Sequence, residues 1–291
     1  KSLVRGEFAN GALNSYRAEK CAGTEIKMDK KMILAASFGT SYLENGEKTI
    51  GAIERVLQDS FPEYEVKRAF TSKKIIAKLK KRDGIQVDTV SEALKKALEA
   101  GVKEVIIQPT HMMRGYEYEE VEKEAAEFKG LFESLVIAAP VLESGKDYDT
   151  VISAVTERVA PYRDNQTAIC LMGHGTEAES NAVYPLFQNR LRELGYADFY
   201  VGTVEAEPDF RQVVELVKQA GCYKRVVLLP LMIVAGDHAN NDMAGDGEDS
   251  WKTMFETAGF ECICLLEGLG QLPLIGKLCA EHTAAAVAKL H

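Results

Sequence analysis

The sequence predicts an α/β protein built from two similar Rossmann-like domains, each with a parallel four-stranded sheet. Two observations support this prediction. Short apolar runs alternate with amphipathic helical segments from residue 31 onward, and such alternation is typical of parallel, right-handed βαβ units. The second half of the chain also resembles the first half, which indicates an internal duplication.

Eight apolar runs are predicted to be strands. Runs such as "KEVIIQP" and "RVVLLPL" are rich in Val, Ile and Leu, as expected of parallel strands buried on both faces. The predicted strands are residues 31–37, 64–70, 103–109, 135–139, 167–172, 198–204, 224–230 and 260–266. Predicted helices include 43–60, 90–101, 116–134, 178–194 and 209–220. The lysine-rich stretch 72–83 is most simply the solvated face of another helix, although it could help to attract an anionic substrate.

Three pairs of segments match between the halves: 97–115 with 216–236, "SFGTS" (37–41) with "LMGHG" (171–175), and "RAFTS" (68–72) with "VGTVE" (201–205). The predicted domains are therefore 28–145 and 146–291. Each matched segment lies where a parallel strand ends, and ligands of such folds bind beyond the carboxyl ends of the strands. We expect the two halves to face one another across a cleft.

Residues 1–27 differ from the rest of the chain. They have no clear period and no apolar core of a secretory signal. The following "MDKKMILAASFGTS" reads as a natural start, because Met28 and charged residues precede the first strand. We interpret residues 1–27 as a leader or a non-native extension.

Composition excludes several classes of protein. The net charge of −9 argues against nucleic-acid binding. No apolar run approaches the roughly 18 residues that span a bilayer, so no membrane partner is expected. The six cysteines contain no C-x-x-C pair. A disulfide framework or a zinc site is therefore not favoured, and the cysteine pattern fits a reducing cytoplasm.

The two halves differ at three strand ends, where the second half carries a His, a Glu and a His. The comparison pairs Thr40 with His174, Ser72 with Glu205, and Glu117 with His238. Two imidazoles and one carboxylate suit a divalent ion such as cobalt, nickel, zinc or ferrous iron. Three ligands leave coordination positions open, which indicates metal exchange or catalysis rather than a structural metal.

Each of these residues also has a simpler interpretation. His174 could be a solvated loop residue, Glu205 could merely precede a helix, and His238 could belong to a polar turn. Their occurrence at matched strand ends favours function. His111, in "QPTHMMRG", could contact substrate, bind a second metal or only cap a strand. His282 and His291 are expected to be solvated. No nucleotide-binding glycine motif is present.

Several motifs together resemble the anaerobic cobalt chelatases, the sirohydrochlorin cobaltochelatases of cobalamin biosynthesis. They are "SFGTS", "MGHG", "VE.EP" and "VAGDHANNDMAGDGEDSW", and the resemblance runs from about Lys31 to the C-terminus. It implies the class II chelatase fold, with two Rossmann-like domains enclosing a tetrapyrrole cleft. It also implies ATP-independent insertion of Co²⁺ into sirohydrochlorin.

The resemblance implies roles for individual residues. It places the metal ligands at His174, Glu205 and His238, and makes His174 the base toward the pyrrole nitrogens as well. Sirohydrochlorin is a polycarboxylate, so basic residues around the cleft, among them Lys73, Lys74 and Arg114, are candidates for steering it. The residues expected to contact the macrocycle are Ser37, Phe38, Gly39, Thr40, His111, Met112, Met113 and Arg114.

Other interpretations stay open at this point. The same chemistry could serve Ni²⁺ or Fe²⁺, and a non-catalytic haem or metal carrier would keep the cleft without turnover. A metal-dependent hydrolase is least favoured because no separate base is apparent. Some relatives of this kind are exported and carry haem, so bound haem and a periplasmic location are left open beside the expected cytoplasmic one. A homo-oligomer is expected.

Overall fold

The computed structural model describes residues 30–290. The segment interpreted as a leader or extension, residues 1–27, lies outside the described residues, as does His291. Eight strands are present in the described part: β1 (Lys30–Ser37), β2 (Tyr64–Phe70), β3 (Val102–Pro109), β4 (Ser134–Ile137), β5 (Thr167–Gly173), β6 (Phe199–Thr203), β7 (Arg225–Pro230) and β8 (Glu261–Cys264). Each coincides with a predicted strand to within a few residues.

The strands form two parallel four-stranded sheets, which confirms the predicted fold class. The strand order is β2-β1-β3-β4 in the first sheet and β6-β5-β7-β8 in the second. The central strands β1, β3, β5 and β7 are almost wholly buried, which explains their continuous apolar runs. The two sheets have the same order, as expected of a duplicated unit.

The helices lie between the strands: α1 (Leu43–Ser60), α2 (Lys73–Asp83), α3 (Val90–Glu99), α4 (Tyr116–Ala126), α5 (Gly145–Val159), α6 (Val183–Glu193), α7 (Phe210–Ala220), α8 (Trp251–Thr257) and α9 (Pro273–Val287). Local signals explain some of the boundaries. A capping box between Thr89 and Glu92 begins α3, and the Asp209 carboxylate caps α7. The helix predicted over 116–134 is shorter than expected, because α4 ends at Ala126 and Gly130 then adopts a φ of +78°.

One apolar core runs through both halves of the protein, and helices from the second half pack around it. The C-terminal helix α9 packs against α1 and β3, and the Thr283 hydroxyl donates to Gln108 Oε1 at 2.8 Å. Helix α5 lies beside α6, where Arg190 Nε bonds Asp149 Oδ1 at 2.6 Å. The C-terminal helix therefore covers the first sheet. The predicted domain boundary between residues 145 and 146 stays a prediction.

Backbone hydrogen bonds establish which residues of the two halves correspond. Ser72 N donates to Phe38 O at 3.2 Å, and Glu205 N donates to His174 O at 2.9 Å. This pattern pairs Ser72 with Glu205, as expected. It pairs His174 with Phe38, so the predicted correspondence of His174 with Thr40 is wrong.

The error comes from the two glycines that flank His174. The sequence comparison matched Gly39 to Gly173, the first of them. The structure matches Gly39 to Gly175, because both adopt positive φ values, +95° and +85°.

The third predicted correspondence, of Glu117 with His238, is confirmed. Glu119 N donates to Gly115 O at 3.0 Å, and Asn240 N donates to Gly236 O at 3.1 Å. These bonds place Glu117 and His238 at equivalent positions.

Two further features of the described residues concern membrane crossing and cysteine chemistry. Between residues 30 and 290, no helix is long and apolar enough to cross a membrane. The cysteines at 170, 222, 262, 264 and 279 are free thiols. Burial raises the pKa of the Cys279 thiol to about 12, so this cysteine stays protonated and behaves as a small apolar core residue.

Candidate metal centre

Three side chains from separate strand ends meet at the carboxyl edge of the second sheet. A cavity lined by residues of both halves, among them Arg114 and Glu179, opens at the same edges of the sheets, and we call it the cleft. His174 directly follows β5, Glu205 follows the end of β6, and His238 lies in the loop after β7. Parallel strands end at the same edge of a sheet, so residues distant in sequence come together there. One ligand atom from each lies within 4.8 Å of the others, and residues 30–290 contain no other such group of three His, Cys, Asp or Glu.

The arrangement leaves room for an ion between the donors. His238 Nε2 lies 4.0 Å from Glu205 Oε1, and the His174 ring lies beside the same carboxylate, with its Nδ1 3.7 Å from Oε2. The two imidazole rings are nearly perpendicular, with centroids 4.6 Å apart. The side chains are 42%, 55% and 31% exposed for His174, Glu205 and His238 respectively, so an ion held there faces the cleft. The geometry fits an open N/O metal site.

Hydrogen bonds of the rings indicate which nitrogen is free. His174 Nδ1 lies 2.8 Å from Gly175 O, and a carbonyl only accepts, so Nδ1 carries the proton. His238 Nδ1 lies 2.7 Å from Asp242 Oδ2. Each ring therefore keeps the Nε2 lone pair for a ligand, the usual arrangement when a second group fixes the tautomer of a metal-binding histidine.

Asp242 is a partner of the candidate site that the sequence analysis missed. It lies on the π-helical turn Ala239–Met243, for which His238 is the preceding residue. The signal was present in "DHANND", because an acidic residue four positions after a histidine on a helical turn can reach the ring. Its carboxylate orients His238 and adds negative charge beside the ligands.

The first domain holds the loop that carries His238. Asn45 Oδ1 accepts a hydrogen bond from Ala235 N at 3.0 Å, and the Tyr42 hydroxyl donates to Asp237 Oδ1 at 3.2 Å. Both contacts cross between the domains, and sequence reasoning identified neither. They join the turn after β1 to the loop after β7, so the position of His238 depends on both halves of the protein.

Gly175 is tightly constrained next to His174. Its φ is +85°, and a Cβ there would lie 2.7 Å from Ala206 N and 2.9 Å from Thr203 Cβ. Its amide also donates to the Tyr184 hydroxyl at 3.2 Å. The turn that presents His174 therefore requires glycine at this position.

We expect Gly175→Ala to destabilise the protein by about 3 kcal/mol, the sum of left-handed backbone strain and overpacking. The displaced turn should also weaken binding of a divalent ion by the triad. Urea unfolding and metal titration measure the two effects. Gly84→Ala is the matched control, since Gly84 has a φ of +69° but nothing within 4 Å of the position that a Cβ would take. It should cost about 1 kcal/mol and leave metal binding unchanged; equal losses in both variants would contradict the packing argument.

The turn after β1 presents one of its predicted substrate-contacting side chains to the cleft. Ser37 is buried and its hydroxyl accepts from Thr110 Oγ1 at 2.8 Å. Thr40 is buried, and its Oγ1 accepts from Tyr42 N at 3.1 Å. Gly39 packs over the Phe70 ring. Phe38 is 47% exposed, which leaves its ring as the part of this turn available to a ligand.

The other predicted contact residues lie in the loop after β3. Met112 and Met113 are half-buried and pack against the main core. Arg114 is exposed, and its guanidinium makes two 2.9 Å bonds to the Glu143 carboxylate and lies 4.7 Å from the Tyr118 ring centroid. Arg114 would have to leave Glu143 to bind a substrate carboxylate.

His111 stands apart from the metal ligands. Its Nε2 lies 3.4 Å from Thr71 Oγ1, and its buried Nδ1 has no partner among residues 30–290. Burial lowers the pKa of His111 to about 4, so the ring is neutral near physiological pH. Within the described residues, His111 belongs to no group of three His, Cys, Asp or Glu side chains that could hold a metal ion.

His282 is not solvated, contrary to expectation. Its side chain is 12% exposed, and Nε2 lies 3.2 Å from Asp147 Oδ1. Asp147 also accepts from Ser144 N at 2.6 Å, so the contact ties α9 to the start of α5. His282 was expected to be solvated because it is polar. It is buried instead, because α9 packs against elements of both halves.

Fold and site together describe an α/β protein with two parallel four-stranded sheets and an open candidate site for a metal with nitrogen and oxygen ligands. Two solved chelatase structures share this fold. The structure of "SirB from Bacillus subtilis with Fe3+" has a TM-score of 0.60 at 12% identity and covers 89% of this chain and 96% of that one. CbiX, described as the terminal enzyme of sirohaem biosynthesis in denitrifying bacteria, has a TM-score of 0.55 at 16% identity, with 88% and 99% covered.

Sequence comparison is more specific. The profile of the family "Cobalt chelatase (CbiK)" matches residues 31–288. The chain is 38% identical to the sirohydrochlorin cobaltochelatase of Salmonella typhimurium, over 89% of this chain and 97% of that protein. It is 29% identical to sirohydrochlorin cobaltochelatase CbiKC of Nitratidesulfovibrio vulgaris, with 96% and 97% covered. The chain belongs to the cobalt chelatase (CbiK) family, as its motifs predicted.

Proposed function

We propose that this protein inserts Co²⁺ into sirohydrochlorin without ATP, with His174, Glu205 and His238 holding the ion. The observation that carries the proposal is the convergence of these three side chains at the cleft of a chain from the cobalt chelatase family. Two relatives that match nearly their whole length bear the name sirohydrochlorin cobaltochelatase.

The first role of the triad is to hold the metal substrate partly dehydrated. Three protein ligands replace part of the water shell and leave positions open toward the macrocycle. Holding the ion there converts a collision between two dissolved species into a local transfer, which lowers the entropic demand of the reaction. Asp242 supports this role because it fixes the His238 ring.

The second role is proton removal. The incoming ion replaces both pyrrole N–H protons, so a base must accept them as the metal–nitrogen bonds form. The Nε2 lone pair of His174 first binds the ion and is freed when the ion moves to the pyrrole nitrogens. His174 can then accept one of the two protons, while its Nδ1–H stays bonded to Gly175 O. The other proton passes to water, to which the half-exposed site is open.

A second candidate reaction uses Ni²⁺ or Fe²⁺ in place of Co²⁺. Imidazole and carboxylate ligands accept all three ions, and affinity order alone does not set selectivity in the cell. SirB, whose fold is similar, has solved structures with Fe³⁺ and with cobalt. We place cobalt first because the family and the curated relatives are cobalt chelatases.

An anaerobic assay of the purified protein tests the proposal. Sirohydrochlorin is mixed with Co²⁺, Ni²⁺ or Fe²⁺, and the change in the macrocycle's absorbance reports insertion. We expect catalysed insertion to be fastest with Co²⁺ and to need no nucleotide. Faster insertion of another ion would select the second candidate. Tight binding of a tetrapyrrole, haem included, with no turnover for any ion would establish a carrier and overturn the proposal.

A further inference from the structure

Helix α2 is an insertion that distinguishes the first domain from the second. Phe70 N donates to Asp88 O at 2.9 Å, and the equivalent bond in the second domain joins Thr203 N to Pro208 O at 2.8 Å. Residues 71–87 thus occupy the place of only 204–207. The helices that follow, α3 and α7, begin at equivalent positions. The extra segment in the first domain consists mainly of α2.

This inserted helix lies along the rim of the cleft. At its start, Ser72 N donates to Phe38 O at 3.2 Å; near its end, Arg82 Nη2 donates to Ser41 O at 2.6 Å. Both ends are therefore tied to the turn after β1. On its inner side, Leu79 belongs to a small apolar cluster that Val234, from the loop preceding His238, also joins. The helix borders the wall of the cleft next to the metal centre.

The outer side of α2 carries unneutralised positive charge. Lys74, Lys78 and Lys81 recur at i, i+4 and i+7 and form one exposed row, which we call the lysine stripe. Between residues 30 and 290, none of the three has a carboxylate at ion-pairing distance, although Lys73 lies 3.8 Å from Glu120 and Arg82 pairs with Asp83. If the lysines served only to keep the helix soluble, acidic residues four positions away would stabilise the helix further. The lysine stripe has no such acidic neighbours.

The rest of the cleft has the opposite sign. The turns and helix starts around it carry the exposed carboxylates Glu117, Glu177, Glu179 and Asp237, and the whole chain has a net charge of −9. The exposed Arg114 of this region is neutralised by Glu143. Such a field attracts a divalent cation and repels a polycarboxylate. A polyanionic substrate can approach this cleft most favourably over α2.

We infer that the lysine stripe of Lys74, Lys78 and Lys81 binds and steers the carboxylate periphery of the tetrapyrrole into the cleft. This inference rests on the proposed function. The stripe is about 10 Å long at 1.5 Å per residue, so its members can contact several carboxylates of one macrocycle. It acts on substrate capture, whereas the triad acts on the metal. It therefore also favours macrocycles with many carboxylates over those with few.

Charge reversal tests the inference. In Lys74→Glu/Lys78→Glu/Lys81→Glu, we expect kcat/KM for sirohydrochlorin to fall by about tenfold or more at low ionic strength. The value of kcat at saturation and the KM for Co²⁺ should change little. The deficit should shrink in high salt, where the Debye length falls to about 3 Å at 1 M. A milder variant with glutamine at the three positions should show a smaller loss in the same direction.

A matched control separates this effect from net charge. Lys30, Lys129 and Lys224 are exposed and lie at or shortly before the starts of β1, β4 and β7, at the opposite edge of the sheets, so reversing them changes the total charge equally. Losses of the same size in both triple variants, or no loss from the stripe variant, would overturn the inference. Absence of metal insertion by the unmodified protein would instead overturn the proposed function.

Discussion

Replacing His174 with alanine is expected to lower the rate of metal insertion by at least about 10²-fold, the usual contribution of a positioned general base. The variant also loses a metal ligand and should need more Co²⁺, but added Co²⁺ should not restore the rate because the base is still missing. The fold should survive, because the ring is 42% exposed and its closest polar contact is the carbonyl of its own neighbour, Gly175. Anaerobic insertion kinetics and thermal unfolding measure the two outcomes.

His282→Asn is an informative control for this experiment. His282 is the histidine that the structure buries against Asp147, away from the metal ligands. Its loss should lower the melting temperature and leave the activity per folded molecule nearly unchanged. His174→Ala should therefore lose activity and keep its stability, whereas His282→Asn should lose stability and keep its activity. Near-normal insertion by His174→Ala would remove the histidine from the mechanism.

The strands and their order of appearance were predictable because parallel buried strands have a strong signature. β3 and β7 are continuous apolar runs, and the structure buries nearly every residue in them. The convergence of His174, Glu205 and His238 was also predictable, since strand ends of one parallel sheet share an edge. In both cases a general property of parallel α/β folds was enough to predict the feature from the sequence.

Features set by contacts between distant segments were not predictable. The correspondence of His174 with Phe38 is established by two backbone hydrogen bonds and by the positive φ of Gly39 and Gly175. The sequence alone allowed Gly39 to be matched to either glycine that flanks His174. The Tyr42–Asp237 bond joins residues 195 apart in the chain. His282 looked solvated because the sequence does not show that α9 packs on the first domain while touching α5.

The equivalence of Phe38 and His174 bears on how the cleft would hold its substrate. Phe38 in the first domain and His174 in the second occupy equivalent positions after the central strands β1 and β5. The first domain therefore has the apolar ring of Phe38 at the position where the second domain has His174, the proposed metal ligand. A flat macrocycle bound between the two turns would have an aromatic side chain available at one turn and the proposed metal ligand at the other.

Removing either of the other two ligands should change metal use more than substrate binding. We expect Glu205→Gln and His238→Ala each to raise the KM for Co²⁺ by at least about 10-fold, because loss of a residue that only supports a metal ligand already costs about 10- to 100-fold in metal affinity. The KM for sirohydrochlorin should stay within about threefold of its original value. Initial rates measured over a range of Co²⁺ concentrations, at saturating sirohydrochlorin, give the first constant, and the converse titration gives the second.

Glu207→Gln is the matched control, because Glu207 is a second glutamate of the same loop and lies outside the group of three ligands. Its carboxylate accepts from Asp209 N at 3.2 Å, so its change tests the loop without touching the ion. An unaltered metal dependence in both Glu205→Gln and His238→Ala would contradict the triad. An equal rise in KM for Glu207→Gln would show that loop conformation, rather than ligation, determines metal affinity. A rise confined to the first two variants would assign the ion to Glu205 and His238, leaving His174 as the ligand that also takes the proton.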